Sequence, residues 1–137
     1  MTAAYYSLLV CVSILDIRTR IIKNEFPIII GILALFQVGI GRMPFLELLA
    51  GAILGGFPFF LMAWIYGTDA MGGGDVKFMI ANGMMLGSRV LWASGIAMFL
   101  SCLYFLIAKI RNKKKKGIPL APFLSIGCVI IRLLVKE

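Results

Sequence analysis

Histidine is absent from the 137-residue sequence, and cysteine occurs only three times. Cys11, Cys102 and Cys128 stand far apart and form no Cys-x-x-Cys pair, so the chain lacks the ligand spacing of a structural zinc site. We therefore predict that the protein has no structural zinc site, and we expect its thiols to pack as small hydrophobic groups. Acidic residues are also scarce, at 6 against 14 basic ones.

Apolar residues, by contrast, dominate the composition. They make up 61% of the chain, and its mean hydropathy is +1.01, whereas soluble domains contain about 45–50% apolar residues. We predict an integral membrane protein with one membrane-embedded domain over residues 1–137. The net charge is +8, but the basic residues separate apolar runs, so we expect contact with membrane lipid and no binding of nucleic acid.

Six apolar segments are visible, at residues 2–15, 27–40, 45–66, 76–86, 90–110 and 118–135. Because lipid offers the backbone no hydrogen-bond partners, each segment is expected to be helical. Gly51-x-x-x-Gly55 and Gly83-x-x-x-Gly87 are small-residue faces that allow two helices to pack closely. The predicted fold is an all-α integral membrane protein with six transmembrane helices in a compact bundle.

The basic residues also predict an orientation. Loops after odd-numbered segments carry ten Lys and Arg residues, whereas the opposite side carries only Arg42, Arg89, Arg132 and Lys136. Basic loops mark the cytoplasmic face. We therefore expect a multi-pass protein of the inner (plasma) membrane whose N- and C-termini are extracytoplasmic.

Three successive glycines, Gly72 to Gly74, precede Asp75 at the start of the fourth segment. Glycine disfavours helix by about 1 kcal/mol relative to alanine, so we expect the glycines to interrupt the helix. Irregular backbone near the membrane is tolerated where it is buried or lines a wet cavity, and a carboxylate there is a candidate for function. Asp16, just past the first apolar run, is expected at a similar depth on the same, cytoplasmic side.

Two carboxylates that meet cannot easily both ionise, so one keeps a proton near neutral pH. Such a pair can supply a general base for water and a general acid for a leaving amide nitrogen. Simpler interpretations remain open at this point: Asp75 as a helix N-terminal acid, and Asp16 as an interfacial acid paired with Arg18 or Arg20. Asp69 is a third acid that could replace Asp16 in the pair.

The motif Gly72-x-Gly74-Asp75-x-Lys77 resembles the signature of the type IV prepilin peptidase family. Members of this family are membrane aspartyl proteases with a Gly-x-Gly-Asp motif. Asp16, followed by a basic loop and Asn24, is similar to the family's other motif, in which Asp precedes Ile-Pro-Asn. Lys23 stands where the family has proline. The stretch that begins at Pro119 resembles the proline-rich opening of the family's last helix.

This resemblance implies that Asp16 and Asp75 are the catalytic pair of an endopeptidase that needs no cofactor. It also implies the residues that shape the motif or the substrate path, which are Asn24, Gly72, Gly74, Lys77 and Pro119. The implied partner is a prepilin-like protein whose short basic leader is cut at the cytoplasmic face. No counterpart of the family's methyltransferase region is present in this sequence, so we expect cleavage without N-methylation.

Three other functions remain open from the sequence. A small proton-coupled transporter could use the same membrane aspartates to bind protons or a cationic substrate. A presenilin-type protease shares Gly-x-Gly-Asp, but the first-helix Asp16 and the lack of a Tyr-Asp pair disfavour it. A non-catalytic assembly subunit would need neither aspartate. Replacement of either aspartate by Asn distinguishes these functions. It should abolish prepilin cleavage by a peptidase or proton-linked uptake by a transporter, and it should leave an assembly subunit unaffected.

Overall fold

The computed structural model describes residues 2–19, 21–67, 72–111 and 121–135, and within them all regular structure is helical. A 3-10 turn at Gly87–Arg89 separates the fourth helix from the fifth. The six helices are α1 (Thr2–Thr19), α2 (Glu25–Gly39), α3 (Phe45–Tyr66), α4 (Gly73–Leu86), α5 (Val90–Ile110) and α6 (Ala121–Leu134). The all-α prediction is therefore confirmed, with helix bounds within a few residues of the apolar segments.

Helix α4 corrects one expectation from the sequence, because Gly73 and Gly74 are helical. Only Gly72, at the N-cap position, has extended backbone, with φ −67° and ψ 145°. The first backbone N–H groups of any helix lack an intrahelical acceptor, so the first turn tolerates glycine better than a helix interior does. Asp75 is consequently the third residue of α4 and lies in its first turn.

Helices α3 and α4 pack against each other with almost no side chains between them. A Cβ atom added at Gly51 would collide with the carbonyl oxygen of Gly83, and one added at Gly83 would collide with that of Gly51. At Gly55, an added Cβ would lie 2.6 Å from the carbonyl oxygen of Met79. The predicted close approach through small residues is therefore confirmed, and it fixes the helix that carries Asp75.

Polar contacts of Tyr5 join α1 to α4 and to α6. The hydroxyl of Tyr5 donates a 2.6 Å hydrogen bond to Oδ1 of Asn82 in α4, and both side chains are fully buried. The Asn82 amide nitrogen in turn donates to the carbonyl oxygen of Phe78 at 2.8 Å. The guanidinium of Arg132 in α6 lies 5.0 Å from the centre of the Tyr5 ring. The two hydrogen bonds satisfy polar groups that would otherwise be costly inside an apolar bundle.

Two stretches of the described chain are long and apolar enough to cross a membrane, Phe45–Tyr66 and Gly73–Ile110. Helices α2 and α6 are apolar but have 15 and 14 residues, whereas a span needs about 20. Large hydrophobic side chains are exposed on all six helices, as expected for surfaces in contact with lipid. These features fit a helical membrane protein, and the number of six spans remains a prediction.

Candidate active site

Asp16 lies in the last turn of α1 and is only 5% exposed. Its Oδ2 accepts a 3.0 Å hydrogen bond from the backbone N–H of Ala121, a residue 105 positions away in the sequence. Ala121 is the first residue of α6, so the carboxylate faces the positive end of that helix dipole. A helix N-terminus stabilises an adjacent negative charge, which explains how a carboxylate is tolerated at this buried position.

Asp75 is half-buried in the first turn of α4. Its backbone N–H donates to the carbonyl oxygen of Gly72 at 3.1 Å, and its carboxylate lies against the Gly72 backbone. The Asp16 carboxylate is close enough to interact electrostatically with that of Asp75. Both acids therefore lie at one end of the bundle, and each is next to the N-terminus of a helix.

The segment between α1 and α2 contacts the same turn of α4. The ammonium group of Lys77 donates a 3.3 Å hydrogen bond to Oδ1 of Asn24, and both residues are exposed. A Cβ atom added at Gly74 would lie 3.2 Å from Cβ of Ile22, tighter than most such contacts. These two contacts hold the segment after Asp16 beside Asp75, and they bring together the two motifs found in the sequence.

The three glycines have different surroundings. The backbone at Gly72 and Gly73 is exposed, and nothing lies within 4 Å of a Cβ added at Gly73. Gly74, however, faces Ile22 of the same chain. Gly72 and Gly73 therefore leave space for another backbone to approach, whereas Gly74 permits close packing of two segments of the protein.

Two residues considered from the sequence, Pro119 and Asp69, lie outside the described residues. The structure instead adds the backbone N–H of Ala121, which the sequence analysis missed. A helix-start signal was present in the sequence, because Pro122 follows Ala121 and proline is favoured in a first helical turn. Nothing in the sequence, however, paired that helix start with Asp16.

The arrangement is suited to acid–base chemistry on one water molecule. Two carboxylates that repel each other readily share a proton, which leaves one as a base and the other as an acid. In the described part of the chain, no three His, Cys, Asp or Glu residues are grouped as metal ligands. The groups that the structure brings together at this site are the two carboxylates and the helix N-termini beside them.

Comparison with curated proteins and with solved structures gives no match. A family model does match: the one described as the type IV leader peptidase family aligns with residues 3–110. This range contains Asp16, Asn24, the glycines, Asp75 and Lys77.

Proposed function

Because this chain belongs to the type IV leader peptidase family, we propose that it is an aspartyl endopeptidase that removes the short basic leader of prepilin-like proteins. Family membership makes the protein a protease of the leader peptidase kind, and it favours this function over a proton-coupled transporter. The observation that carries the aspartyl mechanism is that the Asp16 carboxylate lies near enough to Asp75 to interact with it electrostatically, at one end of the bundle.

In the proposed reaction, the ionised carboxylate of the pair removes a proton from a water molecule. The water oxygen attacks the carbonyl carbon of the scissile peptide and forms a tetrahedral intermediate. The C–N bond then breaks as the protonated carboxyl group donates its proton to the leaving amide nitrogen, so the pair again holds one proton. Asp16 is held by the Ala121 N–H and Asp75 by the first turn of α4. Such fixed positions lower the entropic cost of bringing both groups to the substrate.

We further propose that the substrate approaches along the exposed backbone of Gly72 and Gly73. The absence of side chains there allows an extended peptide to approach closely. The hydrogen bond between Lys77 and Asn24 keeps the two motif segments together beside this path. Lys77 and Asn24 are accordingly positioning residues in this proposal.

The proposed site faces the cytoplasm, and the termini are extracytoplasmic. The basic loops predict which face is cytoplasmic. Thr2 and Val135 line one cavity at the bundle end away from Asp16 and Asp75, which supports termini on one side and the two acids on the other. In α1 alone, Thr2 and Asp16 are separated by about 21 Å of helix, at 1.5 Å per residue.

The mature product is proposed to carry no added N-methyl group.

Digestion of candidate prepilins by the purified protein tests this proposal, with mass spectrometry to locate the cut and to weigh the new N-terminus. We expect cleavage after the basic leader, without methylation. Asp16→Asn and Asp75→Asn should each lower the rate by at least about 100-fold, the contribution of one acid–base group. Glu25→Gln is the matched control, because Glu25 is an exposed acid near the same end. Full activity of either Asp variant would rule out the paired mechanism.

A further inference from the structure

A cavity lined by both polar and apolar residues lies at the end of the bundle away from Asp16 and Asp75. It has a volume of about 910 Å³, which is within the range of ligand pockets, about 300–1,000 Å³. The ends of α1, α2, α4 and α6 contribute to it, through residues such as Tyr6, Met43, Leu86 and Ile131. The proposed peptidase reaction makes no use of this cavity.

Gln37 is the first sign that the cavity binds a ligand. The residue is 7% exposed and its side chain lines the cavity. Its carbonyl oxygen accepts a 3.0 Å bond from the backbone N–H of Arg42. No residue in the described ranges forms a hydrogen bond with its side-chain amide, which is therefore available to a group bound in the cavity.

Three arginines line the same cavity: Arg42, Arg89 and Arg132. Among the described residues that line the cavity, Glu47 is the only acid, and its carboxylate accepts bonds from the backbone N–H and hydroxyl of Ser88 at 3.1 and 3.3 Å. The described part of the lining therefore has an excess of positive charge. Arg42 follows α2 and Arg132 lies in the last turn of α6, positions where a cation is favoured, whereas Arg89 is also the N-cap residue of α5. The preference for cations at helix ends therefore explains two of the three arginines, but not Arg89 or the side-chain amide of Gln37.

We propose that this cavity binds the phosphodiester headgroup of an anionic membrane lipid. Guanidinium groups form paired hydrogen bonds with phosphate oxygens, and the Gln37 amide can donate to the same group. Basic pockets between membrane helices are known sites for anionic headgroups.

The apolar part of the lining favours a lipid over a soluble anion. Met43, Leu86 and Leu133 line the cavity beside the arginines, and Leu133 and Leu134 of α6 are exposed on the adjacent surface. Acyl chains can continue from the cavity along this apolar surface, whereas inorganic phosphate gains nothing from it. The headgroup of the proposed ligand thus contacts the arginines, and its acyl chains contact the apolar residues beside them.

Binding of defined lipids to the purified, delipidated protein tests the proposal by native mass spectrometry. The probes are phosphatidylglycerol, phosphatidylcholine with the same acyl chains, and inorganic phosphate. We expect one phosphatidylglycerol molecule to bind preferentially. Arg42→Gln and Gln37→Leu should each weaken its binding, by about ten-fold for the arginine, the effect of one charge-assisted hydrogen bond. Arg111→Gln is the control, because Arg111 is an exposed arginine at the end of α5 that does not line the cavity.

Arg42 is itself exposed and follows α2, so its substitution should leave the fold intact. Equal binding of phosphatidylcholine and phosphatidylglycerol would overturn the proposal. So would equal losses in Arg42→Gln and Arg111→Gln, or displacement of the lipid by an equal concentration of inorganic phosphate. Because binding is measured without a substrate, these results are independent of peptidase activity.

Discussion

Replacement of Asp16 by Asn or by Ala separates its proposed chemical role from its contact with α6. Asparagine keeps an oxygen that can accept the hydrogen bond from the Ala121 N–H, but it carries no charge and cannot act as a base. Alanine removes the acceptor as well. Both variants should therefore be inactive, whereas they should differ in stability.

The structure sets the size of that difference. Ala121 is fully buried, so without the Asp16 carboxylate its N–H loses an acceptor that water cannot readily replace. An unsatisfied buried donor costs about 1–3 kcal/mol. In Asp16→Asn, the loss of a charged acceptor at the α6 N-terminus is offset by relief of the repulsion from Asp75. We expect Asp16→Asn to lie within about 1 kcal/mol of the wild type, and Asp16→Ala to be about 1–3 kcal/mol less stable than Asp16→Asn.

Denaturant unfolding in detergent measures the free energy of unfolding, and leader cleavage of a prepilin measures activity on the same preparations. Glu25→Ala serves as the control for loss of an exposed acid near the same end. If Asp16→Ala proves as stable as Asp16→Asn, the bond to Ala121 does not hold α6 in place. If Asp16→Asn still cleaves at the wild-type rate, Asp16 is not part of the catalytic pair.

Further substitutions test two contacts that position α4. Gly51→Ala should destabilise the protein by about 1–3 kcal/mol, because the new methyl group meets the backbone at Gly83 and cannot rotate away. The control is Gly95→Ala in α5, which has open space around it and should be neutral or up to about 1 kcal/mol stabilising. Equal effects of the two in denaturant unfolding would contradict the close α3–α4 contact. Tyr5→Phe should lower the free energy of unfolding by about 1–3 kcal/mol, because it leaves Oδ1 of Asn82 without its donor. The double variant Tyr5→Phe, Asn82→Leu should recover part of that loss. If its loss of stability equals or exceeds the sum of the two single losses, the two side chains are not coupled in this way.

Much of the fold could be predicted from the sequence because its signals are local. Apolar runs separated by polar turns gave the six helices, and Gly51-x-x-x-Gly55 gave the face of α3 that packs on α4. The error at Gly73 and Gly74 has a local cause too. Propensity scales describe helix interiors, whereas these glycines occupy a first turn whose N–H groups have no intrahelical partner in any case.

The detail of the candidate site could be predicted only in part. Motif order suggested that Asp16 and Asp75 meet, but the contacts of Asp16 with Ala121 and of Lys77 with Asn24 join residues 105 and 53 positions apart. Such contacts depend on the rotation and depth of whole helices, which periodicity does not fix. The cavity around Gln37 was missed for the same reason, because its arginines were interpreted only as signals of orientation.

Helix termini explain how charged side chains are tolerated at both ends of the bundle. Helices α2, α4 and α6 begin at the end that carries Asp16 and Asp75. Because α1, α3 and α5 run in the opposite direction, each end of the bundle carries both helix starts and helix ends, and no end has one sign of dipole. A charged side chain is therefore stabilised by the terminus that it faces. Asp16 faces the start of α6 and Asp75 lies in the first turn of α4, whereas Arg42 and Arg132 lie at the C-terminal ends of α2 and α6 on the opposite side.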